Sequence, residues 1–87
     1  MSQHDAYLDR MTTRLGEIEH EIRTLAEGGA EVRELEAALG VARERLQLLR
    51  RAGAELDEEM TRSYARAFDR LNAAVGRARG NGRPDAA

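Results

Sequence analysis

Residues 8–25 read LDRMTTRLGEIEHEIRTL. The apolar side chains fall at Leu8, Met11, Leu15, Ile18, Ile22 and Leu25, so the gaps run three, four, three, four, three. That spacing is the a/d seam of a coiled coil, and all six seam positions are apolar. So narrow a stripe suits one long partner helix better than a broad globular core. The fold is therefore expected to be all-α and organised by helix pairing.

Upstream, Ser2 to Asp5 has the Ser-x-x-acid form of a capping box, and Asp5 and Asp9 suit the positive end of a helix dipole. A first helix is predicted over about 5–27. Gly16 lies off the seam and costs about 1 kcal/mol of helix propensity relative to Ala. Keeping Gly28-Gly29 helical would cost roughly twice that. The seam also changes phase there: extending it would recruit Glu36 and Arg43, whereas Val32, Leu35, Leu39, Ala42, Leu46 and Leu49 form a fresh apolar seam. Two independent signals thus place a break at Gly28-Gly29, with a second helix over about 30–52. The small flank Ala37, Ala38, Gly40 and Ala42 would let another helix approach closely.

Around Gly53, Arg50 and Arg51 precede the glycine and Glu55, Asp57, Glu58 and Glu59 follow it. This order compensates the dipoles of a helix that ends and of another that begins. It predicts a turn near Gly53. The seam Leu46, Leu49, Gly53, Leu56, Met60 crosses the glycine unshifted, however, and is also compatible with a lone glycine inside a long helix. Beyond it the apolar positions are Met60, Tyr64, Ala67 with Phe68, Leu71, Ala74 with Val75, and Ala78. The steps of four form a stutter, and the doubled positions widen the stripe toward a bundle face. Arg77 and Arg79 followed by Gly80 predict a helix end, and Asn81-Gly82-Arg83-Pro84 cannot continue one.

These expectations define one helical unit over 1–79, with segments of about 5–27, 30–52 and 54–79, and a flexible tail over 80–87. The architecture is an antiparallel helical hairpin or a three-helix coiled-coil bundle. A thin hairpin would leave much of its seam exposed, so self-association follows, with a dimer favoured.

Met11, Leu15, Ile18, Ile22 and Leu25, then Leu46-x-x-Leu49-x-x-Ala52-Gly53, then Ala67-Phe68-x-x-Leu71, resemble a family of small bacterial coiled-coil proteins labelled apolipoprotein-like or stress-response proteins. The resemblance spans most of residues 7–78 and rests on simple heptads. It implies a turn near Gly53, no enzyme activity and no settled biochemical role, the stress-related one being what the family's label suggests. The chain departs from the family pattern at Leu56 and Phe68, where the family carries tryptophans, and at Gly28-Gly29, where the family continues a helix.

Composition narrows the chemistry further. Without cysteine there is no disulfide, thiol nucleophile or zinc-thiolate site. A net charge of −2 exerts no strong pull on nucleic acid. Two tyrosines and one phenylalanine leave little to stack on bases. No run approaches the roughly 20 apolar residues of a membrane span, and the first residues lack the pattern of a secretory signal, so the cytoplasm is the expected compartment. Glu17 and His20 form the Glu-x-x-His pair used in di-iron bundles, but such sites need a second pair, and Ile18 and Ile22 own the seam. A solvated face explains the pair better. Dipole compensation likewise explains Glu55, Asp57, Glu58 and Glu59 without any general acid or base role. No catalytic residue, metal site or cofactor is expected.

The expected working surface is the helix-pairing seam Leu8, Met11, Leu15, Ile18, Ile22, Leu25, Leu35, Leu39, Leu46 and Leu49. A second candidate lies in residues 60–79, where five arginines against Asp69 give a local charge of +4. There Arg62, Tyr64, Arg66, Phe68 and Arg70 could contact anionic lipid or an acidic partner. Residues 5–27 supply such acidity internally, with six acids against three arginines. Arg66 or Arg70 is therefore expected to pair with glutamates of the first helix.

Overall fold

A computed structural model describes residues 3–53 and 57–81. They form three helices, α1 (Gln3–Glu27), α2 (Arg33–Ala52) and α3 (Glu58–Asn81), and no strand. Ion pairs fix the directions. Arg43 with Glu19 and Arg50 with Asp9 set α2 antiparallel to α1, while Arg77 with Glu34, together with the hydrogen bond from Arg45 to Ser63 O, sets α3 antiparallel to α2. The result is an up-down-up bundle 48 × 21 × 19 Å in extent. Of the expected alternatives, the three-helix bundle is the one adopted.

Both glycine punctuations are turns. At the end of α1 the Gly29 N–H donates to Ala26 O at 3.0 Å and the Ala30 N–H donates to Leu25 O at 3.0 Å. These are the two bonds of a Schellman motif, which satisfies carbonyls that a helix end leaves open. Gly29 occupies the left-handed position with φ 93°. Leaving this turn uses residues 30–32, so α2 begins at Arg33 rather than near Ala30, with Glu31 Oε1 accepting the Arg33 N–H at 3.1 Å. Gly53 ends α2 at φ 51°, ψ −117°, a conformation nearly confined to glycine.

The third helix starts and ends later than the sequence suggests. Asp57 is its N-cap: Oδ1 accepts the Met60 N–H at 2.9 Å, and Glu58 and Glu59 lie in the first turn. The expected start at residue 54 gives way to this cap. At the other end α3 runs through Gly80 to Asn81, so Gly80 is helical and does not begin a tail. The capping role of Ser2, the seam position Leu56, Glu55 and the expected tail over 82–87 lie outside the described residues.

One core joins the three helices. α1 contributes Leu8, Leu15, Ile18 and Ile22, α2 contributes Leu35, Leu39, Ala42, Leu46 and Leu49, and α3 contributes Tyr64, Ala67, Phe68, Leu71, Ala74 and Val75. Met11, Leu25, Val32, Met60 and Ala78 pack against its edge, half-buried. The ten expected seam residues Leu8, Met11, Leu15, Ile18, Ile22, Leu25, Leu35, Leu39, Leu46 and Leu49 thus turn inward, whereas Gly53 is exposed. The physical reason for a third helix is visible in this set: the doubled positions Ala67/Phe68 and Ala74/Val75 make α3 a broad wedge that closes the seam of the α1–α2 pair.

Candidate functional site

The residues singled out by sequence divide between the interior and the surface. Leu15, Ile18, Ile22, Leu35, Leu39, Leu46 and Leu49, with Leu8, are buried inside one chain. They hold α1, α2 and α3 together and present nothing to a partner. The seam is not open in this fold, because α3 covers it. Asp at Ile18 and Ile22 would consequently test folding rather than assembly.

The expected lipid-contacting face is divided in the same way. Tyr64 is 0% and Phe68 9% exposed, both in the core, whereas Arg62, Arg66 and Arg70 point outward. Tyr64 meets Tyr7 edge-on at 6.5 Å and Phe68 at 6.0 Å, and the Arg14 guanidinium lies 5.9 Å from the centre of the Phe68 ring. These aromatics belong to the apolar stripe that seats α3, so they are spent on intramolecular packing and form no surface with the arginines. The Tyr64 hydroxyl is buried with no hydrogen-bond partner. Burial, with a smaller contribution from Tyr7, pushes its pKa up to about 12.

The expected docking of Arg66 or Arg70 on α1 is corrected too. Arg66 pairs with Glu59 at 3.6 Å and Arg62 with Glu58 at 3.4 Å, both within α3. The acidic α1 is instead met by Arg79, whose Nε lies 2.8 Å from Glu21, and by Arg43 and Arg50 of α2. Glu19 is bridged between Arg23 and Arg43, and the hydrogen bond from Arg43 holds its carboxyl below the ordinary carboxylate range. Charge therefore does orient the helices, through residues at the ends and flanks of the bundle. Exposed pairs of this kind set register more than stability.

Glu17 and His20 are exposed on the outside of α1. Among the described residues, no three His, Asp or Glu side chains come together as a metal ion would require. No helix among them is long and apolar enough to cross a membrane.

What sequence reasoning missed lies on the outside of α2. Val41 and Leu48 are 43% and 46% exposed, the large apolar residues left on the surface of the described chain. Val41 borders an open groove between α2 and α3, with Ala37, Ala38 and Arg45 on one wall and Ser63, Arg66 and Arg70 on the other. Arg45 partly bridges the groove by donating to Ser63 O at 3.1 Å. Farther along the same boundary, Leu48 and Met60 line a smaller depression. The signal was present in the sequence: Ala37, Val41 and Leu48 recur at helical spacing, offset from the better-filled inner seam that masked them. Compared with known proteins, the chain matches no family, no curated protein and no solved structure.

Proposed function

We propose that this protein is a non-enzymatic helical interaction module that acts by helix pairing, through self-association or with a helical protein partner. The observation that carries the reading is the placement of Val41 and Leu48 outside an otherwise closed core. A small, strongly charged bundle gains nothing for its own fold by leaving two large apolar side chains in water, and such side chains favour burial against another surface. A dimer is the favoured assembly and the cytoplasm the proposed compartment. A stress-related role is proposed on the resemblance to small bacterial coiled-coil proteins alone.

Solution mass is the test. Sedimentation at about 100 μM, where mass action favours weak pairs, is expected to give more than the 9.7 kDa of one chain. A mass of one chain at every concentration would remove self-association as its mode of action.

The alternative is peripheral binding to anionic lipid by residues 60–79, supported by the outward row Arg62, Arg66 and Arg70. It requires Tyr64 and Phe68 to leave the core. Co-sedimentation with anionic vesicles that is lost when the three arginines become Gln would favour it over helix pairing.

A further inference from the structure

We propose that the outer stripe of α2 is the contact surface for a second copy of this chain, with the two α2 helices packed antiparallel. This rests on the reading of the protein as a self-associating helical module and specifies where and how it pairs. The stripe runs Glu34, Ala37, Val41, Glu44, Leu48, Arg51, with gaps of three, four, three, four, three. All six are exposed. It repeats on the outside the spacing that the core uses inside, with Ala37, Val41 and Leu48 between opposite charges at the two ends and Glu44 beside the middle.

Those end charges select the occupant and its direction. α2 carries Glu34 and Glu36 in its first turn and Arg50 and Arg51 in its last. Arg50 is turned toward Asp9 and Thr12 of α1, but Arg51 is exposed and has no ion pair among the described residues. A second α2 laid antiparallel brings Glu34, which also meets Arg77 of α3 at 3.6 Å, toward Arg51 at both ends and opposes the helix dipoles. A parallel copy would set Glu34 against Glu34 and Arg51 against Arg51. With Glu34 opposite Arg51 the two-fold axis falls between Val41 and Glu44, so Leu48 of one chain packs over Ala37 of the other, twice, and the two Val41 side chains lie beside each other at the axis. Ala37 and Gly40 on the same side add little bulk, and a Cβ at Gly40 would meet nothing within 4 Å, so the backbones can approach closely.

The test uses the full chain. Val41→Glu together with Leu48→Glu changes only exposed positions, so helical ellipticity should persist while the dimer dissociation constant rises by about 100-fold, because a carboxylate would be desolvated in the contact. Orientation is read by single cysteines, which are unique in this cysteine-free chain. In an antiparallel pair only positions beside the two-fold axis come near their own copies, so Glu44→Cys should oxidise to a linked dimer and Glu34→Cys should not. Linking at both positions means a parallel pair and overturns the arrangement. A double variant as dimeric as the wild type overturns the surface while leaving self-association intact. A wild type that is monomeric overturns both.

Discussion

On its inner face α2 carries Leu35, Leu39, Ala42, Leu46 and Leu49, each no more than 7% exposed; on its outer face Val41 and Leu48 are 43% and 46% exposed. Both faces follow heptad spacing, and a hydrophobicity rule applied to residue types alone would treat Leu48 and Leu49 alike. They differ in what lies opposite. The inner face meets apolar stripes from α1 and α3 at once, so each leucine is enclosed on several sides. The outer face meets water and, at its edge, the arginines of α3. The lesson is that spacing specifies which residues can share a contact, whereas enclosure, and with it the energy, depends on how many helices converge there.

The largest effect should come from putting charge inside. Ile22→Asp strands a carboxylate in the core, where Ile22 is 4% exposed, and should cost more than about 4 kcal/mol, enough to abolish the helical signal and its cooperative melt. Leu49→Ala, at a position 1% exposed, should cost about 2–5 kcal/mol in denaturant unfolding with the three helices retained. A helical, cooperatively folded Ile22→Asp variant would mean that the inner face is not what holds the chain together.

Alkaline titration sharpens the same contrast. All fourteen basic residues are arginines, and there is no cysteine, so between pH 9 and 12 the side chains that titrate are those of Tyr7 and Tyr64. Unfolded chains lose the tyrosine proton near pH 10, while the folded chain keeps that of Tyr64 up to about 12. The unfolded state therefore binds fewer protons in this window. The contribution of Tyr64 should be flat from neutral pH to about 9, and stability should then fall by about 2 kcal/mol as pH rises through 12. Tyr64→Phe should remove most of that loss and, by deleting an unpaired buried hydroxyl, raise stability at neutral pH by about 1 kcal/mol. Equal alkaline sensitivity in wild type and variant would show that the hydroxyl is not sealed in the core.

Smaller effects attend the glycines. Gly29 at φ 93° should resist Ala by about 1 kcal/mol, since the left-handed turn disfavours a Cβ. Gly16 and Gly76 lie on exposed helical faces with open space around a built Cβ, so Ala at each should stabilise by about 0.5–1 kcal/mol in thermal melts. Smallest of all, Val41→Ala in the isolated chain should change unfolding free energy by less than about 0.5 kcal/mol, in contrast to Leu49→Ala on the inner face. Comparable losses at the two positions would erase the distinction between the faces.

The heptads from Leu8 to Leu25 and from Val32 to Leu49, with the glycine pair, were enough to specify an all-α fold, the break at Gly28-Gly29 and the share of the core that α1 and α2 supply, while the order of charges around Gly53 favoured a turn there without deciding between a hairpin and three helices. These are local matters: periodicity decides which side of a helix is apolar, and glycine decides where the backbone can reverse. Helix ends were less legible, since the Asp57 cap and the Schellman turn depend on hydrogen bonds whose partners spacing alone does not choose. Which surface remains free was decided only in three dimensions. The seam that seemed to need a second chain is closed by α3, Tyr64 and Phe68 pass from candidate surface to core, and Arg79 rather than Arg66 or Arg70 meets α1. Each outcome follows from the angle at which a third helix settles on two others, a quantity fixed by the packing of all three together.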